Sequence, residues 1–147
     1  KNKKKFDLIM IKQTIHLFKY QEIKKLIYAC KMQLNQNGKI LILSLETSNN
    51  EIPTFLLMKK KLKKSLDKDK KIIRYISKLN PKNKNKRFSF KVKISRDKYI
   101  EMIKNRYIST LLGFSLHDIF KGINQINLKY KKILSFNDKL ICLILDK

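Results

Sequence analysis

Two unbroken apolar runs near the start of the chain are separated by a helical pattern. The first run, L-I-M-I, predicts a strand over Asp7–Ile11 that is buried on both faces of a sheet. The second run, I-L-I-L, predicts another strand over Lys39–Leu45. Between them, apolar residues at intervals of three and four predict an amphipathic helix over Gln21–Leu34, which Gly38 ends in the left-handed conformation. This order predicts a βαβ unit with parallel strands.

Further elements follow where the apolar period changes. In chain order, the pattern predicts a Lys-rich helix from Pro53 to Leu79 that Asp67-Lys68-Asp69 can interrupt, a loop over Asn80–Arg87, an extended segment over Phe88–Ile94, a helix over Arg96–Leu112 capped by Ser95, a helix opened by Ser115 and Asp118, and two short strands over Ile133–Phe136 and Leu140–Leu145. This order indicates an α/β layout rather than a helical bundle or a β-sandwich.

The net charge of +25 leaves two interpretations open. A strongly basic chain can bind nucleic acid or an anionic membrane. The charge can also reflect codon bias, because Lys far outnumbers Arg and the chain has only 3 Gly and 2 Pro. Most aromatic residues fall inside apolar patterns rather than on a surface that could stack bases, which favours codon bias. Nonspecific binding to polyanions at low salt is expected in either case.

Length and composition exclude several other classes. A chain of 147 residues with 43% hydrophobic residues is long enough for one folded domain and too apolar for a disordered one. It has neither a membrane-spanning run nor a signal-peptide pattern, so we expect a cytoplasmic protein without a membrane partner. Cys30 and Cys142 are expected to be buried free thiols and not metal ligands. The basic leader Lys1–Lys5 lacks an initiator Met and indicates processing or a piece of a longer protein.

Three segments, in this order, resemble a known family. F-D-L-I-M-I-K-Q-T-I-H-L-F is similar to the fourth-strand segment of class I S-adenosylmethionine-dependent methyltransferases, and the helix Gln21–Leu34 with L-N-Q-N-G-K-I-L-I-L is similar to the following helix, Gly turn and fifth strand. Y-I-E-M-I-K-N-R-Y-I-S-T-L-L-G-F-S-L-H-D-I-F-K-G-I resembles a substrate-side helical insert of the small-molecule (type 11) branch. The resemblance covers nearly the whole chain but only the carboxyl-terminal half of the family's fold.

The resemblance implies a fold, a domain organisation and an activity. The fold class would be α/β, the carboxyl-terminal half of a Rossmann-like methyltransferase sheet with a helical insert before the last strands. Residues 1–147 would form a single partial domain, with a βαβ core at 1–52, a Lys-rich helix and linker at 53–87, the helical insert at 88–132 and the closing strands at 133–147. The activity would be methyl transfer from S-adenosyl-L-methionine to a small-molecule acceptor.

The resemblance also assigns residues, each with a structural alternative. Lys12 and Gln13 would bind the cofactor's methionine end, or they are ordinary polar residues of a strand-to-helix turn. His16 would be catalytic, as a base or an orienting group, or a structural histidine beneath the turn. Arg106, Tyr107 and Ser109 would bind substrate, and the alternative for Arg106 is a capping or ion-pairing role. His117 is expected at the surface.

The chain also departs from the family. A cofactor loop needs glycines where its backbone approaches the ligand, yet none of the 3 glycines forms a G-x-G pattern. The first three strands and the ribose-binding acid are absent from this sequence. We therefore expect the chain to be inactive without a missing N-terminal half or a partner chain. The alternatives are a basic nucleic-acid-binding α/β module and a non-catalytic methyltransferase-like subunit.

Overall fold

The structure is a computed structural model that describes residues 5–147. The expected basic leader, apart from Lys5, lies outside the described residues. The chain divides into two compact units. The sheet unit comprises residues 5–48 together with Asp67–Phe88 and Lys139–Lys147, and the helical unit comprises Asn49–Leu66 and Ser89–Asp138.

The described residues form a mixed α/β structure with one four-stranded sheet. The strands are β1 (Phe6–Lys12), β2 (Leu34–Leu45), β3 (Lys84–Ser95) and β4 (Ile133–Asp146). The helices are α1 (Tyr20–Gln33), α2 (Leu56–Leu79), α3 (Arg96–Lys104) and α4 (Leu116–Lys129), with short 3-10 turns at Ile15–Leu17 and Ser109–Leu111. The strand order is β1-β2-β4-β3, with β1 and β2 parallel and β4 antiparallel to β2. None of these helices is long and apolar enough to cross a membrane.

The predicted βαβ unit is confirmed and forms the centre of the sheet unit. β1 pairs in parallel with β2, with Ile11 opposite Ile42 and Lys12 opposite Leu43. The core of this unit is aliphatic throughout: its buried members are Ile11, Ile15, Ile23, Ile27, Leu34, Ile40, Ile42, Ile72, Ile76, Leu143 and Leu145. β2 therefore has the buried character that its unbroken apolar run predicts.

β1 is not buried on both faces, and that prediction is wrong. Among the described strands β1 lies at one end of the sheet order and has only β2 as a neighbour. Phe6, Leu8 and Met10 alternate along one face of the strand and are 44%, 51% and 56% exposed. Ile9 and Ile11 point to the other face, where Ile11 joins the core. The apolar run was correctly assigned to a strand, but half of its side chains remain uncovered.

Gly38 does not end a helix in the left-handed conformation, contrary to the prediction. α1 ends at Gln33, and β2 begins at Leu34 and runs through Gly38, whose φ is not positive. A Cβ atom at position 38 would lie 3.0 Å from the Phe6 carbonyl oxygen and 3.0 Å from the Leu34 side chain. The glycine is needed here because two strands approach each other closely, and not for its conformational freedom.

Two predictions about the Lys-rich region are corrected. α2 runs without interruption from Leu56 to Leu79, because Asp69 lies on its buried side and does not break the helix. The loop predicted over Asn80–Arg87 is confined to its first residues, since β3 begins at Lys84. Residues 84–87 of β3 are polar and exposed, so the apolar period that begins at Phe88 does not mark this end of the strand.

The helical unit has a core that mixes aromatic and aliphatic side chains. Its buried members are Phe55, Met58, Tyr99, Ile103, Leu111, Ile119, Ile123, Ile126 and Leu134. The predicted caps are confirmed: the Ser95 hydroxyl oxygen accepts a hydrogen bond from the Lys98 N–H, and Ser115 and Asp118 form a capping box at α4.

The predicted helix over Arg96–Leu112 is too long. α3 ends at Lys104, and the chain turns through Arg106 before the 3-10 turn at Ser109–Leu111. The two predicted closing strands form one strand, β4, which stays extended through Asn137 and Asp138. The Asn137 side-chain and backbone N–H groups both donate to the Glu51 carboxylate, at 2.9 and 3.0 Å, which satisfies these polar groups within the strand.

Candidate functional site at the strand ends

The carboxyl ends of β1 and β2 lie at one edge of the sheet unit because the two strands are parallel. The pairing continues one residue beyond β1, where the Gln13 N–H donates to the Leu43 carbonyl oxygen at 2.8 Å. In open α/β sheets this edge is where ligands bind. Residues 13–17, which leave β1 here, are called the strand-end turn.

The strand-end turn begins with a strained residue. Gln13 has a φ of 52°, in the left-handed region, where a side chain other than hydrogen costs about 1–2 kcal/mol. The side chains of Lys12 and Gln13 are exposed and form no hydrogen bond with the described residues. Their polar groups are therefore available to a ligand, and no side-chain bond offsets the conformation of Gln13.

His16 lies in the middle of the strand-end turn. Ile15 is only 2% exposed and anchors the turn in the aliphatic core, while His16 is half-buried. The Lys68 ammonium, from α2, donates a hydrogen bond of 3.0 Å to the His16 carbonyl oxygen. The next residue of α2, Asp69, is 6% exposed and interacts electrostatically with His16. Burial raises the pKa of the Asp69 carboxyl group.

Glu46, immediately after β2, is a buried carboxylate that is only 6% exposed. Its Oε1 atom accepts hydrogen bonds from the Thr47 N–H at 3.1 Å and from the Ser48 hydroxyl at 3.2 Å. Its Oε2 atom accepts one from the Arg87 Nε–H at 2.9 Å. These bonds fix the loop that leaves β2. The sequence contained a signal for Glu46, since this acidic residue directly follows the strand predicted over Lys39–Leu45.

Arg106 lies two residues after the end of α3 and stabilises the turn that follows. With a φ of 53° it occupies the left-handed position of a Schellman motif, in which the Tyr107 N–H donates to the Met102 carbonyl at 3.1 Å. Its guanidinium Nη1 donates to the carbonyl oxygens of Leu111, at 2.6 Å, and Leu112, at 3.3 Å. Residues 106–112 are called the helix-end turn. Arg106 thus has the capping role that was its structural alternative.

Tyr107 and Ser109 belong to the same helix-end turn. The Tyr107 hydroxyl lies 2.9 Å from that of Tyr99, which donates to the Pro53 carbonyl at 2.5 Å. Tyr99 has a single hydroxyl proton, so Tyr107 is the donor in their shared bond and keeps its own lone pairs. Burial raises the pKa of Tyr107 to about 12, so the hydroxyl is neutral at physiological pH. Ser109 is exposed at the start of the 3-10 turn.

The candidate residues thus form two groups, one in each unit. The sheet unit contains Lys12, Gln13 and His16, and the helical unit contains Arg106, Tyr107 and Ser109. His117 is exposed on α4. The described residues include no group of three or more His, Cys, Asp or Glu side chains that could hold a metal ion, and both cysteines are free thiols. The group in the sheet unit combines the His16 imidazole with the exposed polar side chains of Lys12 and Gln13. Such a group can hold a polar ligand and move a proton.

No protein-family model and no curated protein matches the sequence. Among solved structures, the chain aligns over 100% of its length with crystal structures of the plantazolicin methyltransferase BpumL in complex with SAH and a monoazolic or a triazolic desmethylPZN analog, each at 14% identity and a TM-score of 0.39. The complex with a pentazolic analog aligns at 13% identity and 0.40. The chain spans 53–55% of the length of these proteins. Similarity at this level does not assign the chain to a fold family.

Proposed function

We propose that this chain is the carboxyl-terminal part of an S-adenosylmethionine-dependent methyltransferase that acts on a small molecule. The observation that carries the proposal is the parallel β1–α1–β2 unit, in which Lys12 ends β1 and Gln13 and His16 follow in the strand-end turn at the carboxyl edge. This edge is the ligand-binding edge of doubly wound sheets. The segment is also the one whose sequence resembles the family's fourth strand.

The open side of β1 supports the incomplete status of the unit. In the common doubly wound order 3-2-1-4-5-6, the fourth strand lies between the first and the fifth. Among the described strands β1 has β2 as its single neighbour, and its Phe6, Leu8 and Met10 side chains are exposed. An apolar cavity of about 400 Å³ between β1 and α1 adjoins this face. We infer that a further strand, from a missing N-terminal half or from a partner chain, pairs with β1 and brings the glycine-rich loop.

The described residues fit one wall of a cofactor site. None of their glycines has a positive φ, and the Glu46 carboxylate is engaged by its own loop and Arg87, so they provide neither a glycine-rich cradle nor a free ribose-binding acid. Lys12 and Gln13 would contact the methionine end of the cofactor, which supplies an electrophilic methyl group when bound. His16 would orient the acceptor or take up its proton. Holding acceptor and methyl group in line is the main requirement of the reaction.

Arg106, Tyr107 and Ser109 are proposed to contact the acceptor. Only Nη1 of Arg106 is engaged by the helix-end turn, which leaves guanidinium N–H groups for a carboxylate or phosphate. The lone pairs of the Tyr107 hydroxyl and the exposed Ser109 hydroxyl add acceptors for a polar substrate. A small molecule with an anionic group and a hydrogen-bond donor suits these residues.

Calorimetric titration with SAH tests the proposal. We expect no binding to residues 1–147 alone and binding to the longest product of the same gene, or to the chain with its partner. Met10→Lys, on the open face of β1, should abolish that binding, whereas Leu128→Lys, at a side chain that is 90% exposed in the helical unit, should not. Absence of SAH binding to every longer form would overturn the methyltransferase assignment. Purification solely in a hetero-oligomer that does not bind SAH would favour a non-catalytic subunit.

A nucleic-acid-binding module is the second candidate, and one observation favours it. Lys84, Lys86 and Phe88 alternate on one face of β3 in the sheet unit, and Phe88 is 41% exposed. An exposed ring beside ammonium groups can stack a base of single-stranded RNA. We expect binding of a single-stranded RNA oligonucleotide at low salt that is lost at about 150 mM salt, as for nonspecific attraction. Tight binding that persists at that salt and is weakened by Phe88→Ala would favour this candidate over the methyltransferase.

A further inference from the structure

Asp69 is a buried carboxylate whose burial the fold alone does not explain. It lies on the inner side of α2 and is 6% exposed, and its buried Oδ1 atom has no hydrogen-bond partner among residues 5–147. A polar atom of this kind costs free energy, and a charged one costs more. Its neighbour Asp67, on the same helix, is exposed. The acidic side chain at position 69 therefore lowers stability without forming a structural bond at Oδ1.

Asp69 interacts electrostatically with a residue of the strand-end turn. Burial raises the pKa of its carboxyl group, and electrostatic interactions with His16, from this turn, and Lys68, from α2 itself, oppose that rise. Lys68 donates to the His16 carbonyl oxygen at 3.0 Å, and the next residue of α2, Asp69, interacts with the same histidine electrostatically. Ile15, in the aliphatic core, fixes the turn from below. The backbone of His16 is thus held in place, and its imidazole lies within electrostatic reach of a buried carboxylate.

We propose that Asp69 is the positioning residue of His16, accepting a hydrogen bond from one imidazole N–H and leaving the other ring nitrogen free at the strand-end edge. A carboxylate behind an imidazole selects one tautomer and one ring orientation. Such bonds are often long without ligands and shorten when the site is complete. The inference rests on the proposed function, in which His16 handles the acceptor's proton. It adds the residue that would determine which nitrogen does so.

Imidazole ¹⁵N chemical shifts of the labelled 147-residue chain test this proposal without cofactor or substrate. The chain has only 2 histidines, and the exposed His117 serves as an internal reference. We expect two widely separated ring-nitrogen shifts for His16 at pH 8, the signature of a single tautomer. Asp69→Ala should move them toward the averaged values of His117, and Asp67→Ala, the matched control on the same helix, should leave them unchanged.

Asp69→Asn is a second variant for the case that Asp69→Ala does not fold. It preserves the volume of the side chain and is therefore expected to remain folded. It should shift the His16 nitrogens in the same direction by a smaller amount, since an amide oxygen is a weaker acceptor than a carboxylate. His16 shifts that are the same in the wild type and in both position-69 variants would overturn the proposal. The outcome does not depend on SAH binding, so failure of the methyltransferase assignment and failure of the positioning role are distinguished.

Discussion

The strand-end turn and the helix-end turn have the same backbone design but use their side chains in opposite ways. Each starts with a non-glycine residue of positive φ, Gln13 at 52° and Arg106 at 53°, and continues into a 3-10 turn. Arg106 donates to two carbonyls within its turn, whereas the Gln13 side chain is exposed and bonds to no described residue. Strain that nothing local offsets is a feature of functional sites, so the strand-end turn is the better candidate for a binding site.

The hydroxyl network beneath the helix-end turn provides the largest expected effect. Tyr99 is 1% exposed, and its hydroxyl joins the Pro53 carbonyl to Tyr107. Tyr99→Ala should lower the free energy of unfolding by about 3–5 kcal/mol, the usual cost of truncating a buried aromatic side chain. Tyr99→Phe should lower it by about 1–3 kcal/mol, because two polar partners lose their bond. Urea unfolding followed by circular dichroism measures both.

Tyr28→Ala is the matched control for these variants, since Tyr28 is 67% exposed. It should change the free energy of unfolding by less than about 0.5 kcal/mol. If Tyr99→Phe has an equally small effect, the network does not stabilise the helix-end turn. The contrast between the two turns would then rest on Arg106 alone.

Glycine substitutions at the two strained residues test the contrast directly. Gln13→Gly should raise the free energy of unfolding by up to about 1 kcal/mol, because relief of a left-handed cost of about 1–2 kcal/mol exceeds glycine's extra chain entropy. Arg106→Gly should lower it, because the lost hydrogen bonds of a charged group, about 1.5–3 kcal/mol, outweigh the same relief. Thermal unfolding of the two variants and the wild type measures the difference. Effects of equal sign would show that the two turns are stabilised alike.

The sequence predicted the elements whose signal is local. β1, β2 and α1 have apolar periods within a few residues, and the serine caps bond to backbone three residues away. Residues 84–87 of β3 were missed because an exposed stretch without apolar residues has no period to detect. The end of α3 was missed because its left-handed position is filled by an arginine instead of the usual glycine.

The candidate site was predictable only in part, for a related reason. Lys12, Gln13 and His16 were identified because the segment that contains the first apolar run resembles a family's strand and the turn that follows it. The contribution of α2 was not, since Asp69 lies 53 positions after His16 and meets it only in the folded chain. In a Lys-rich segment, Asp67-Lys68-Asp69 suggests a break in the helix. Which of the two acids is buried depends on packing and not on composition.

The smallest expected effect is a pH dependence of stability in the sheet unit. Burial raises the pKa of the Asp69 carboxyl group above its ordinary value, against the opposing effects of His16 and Lys68. The folded chain therefore binds this proton more tightly than the unfolded chain, and Asp69 reduces stability as the pH rises through the raised pKa. Asp69→Asn removes this loss, so the variant should gain in melting temperature relative to the wild type between pH 4 and pH 8. Asp67→Asn, at the exposed acid of the same helix, should follow the wild-type pH profile. A variant curve parallel to the wild type at every pH would show that burial of the Asp69 carboxylate does not lower stability, and the contrast between the two turns would then rest on Gln13 and Arg106.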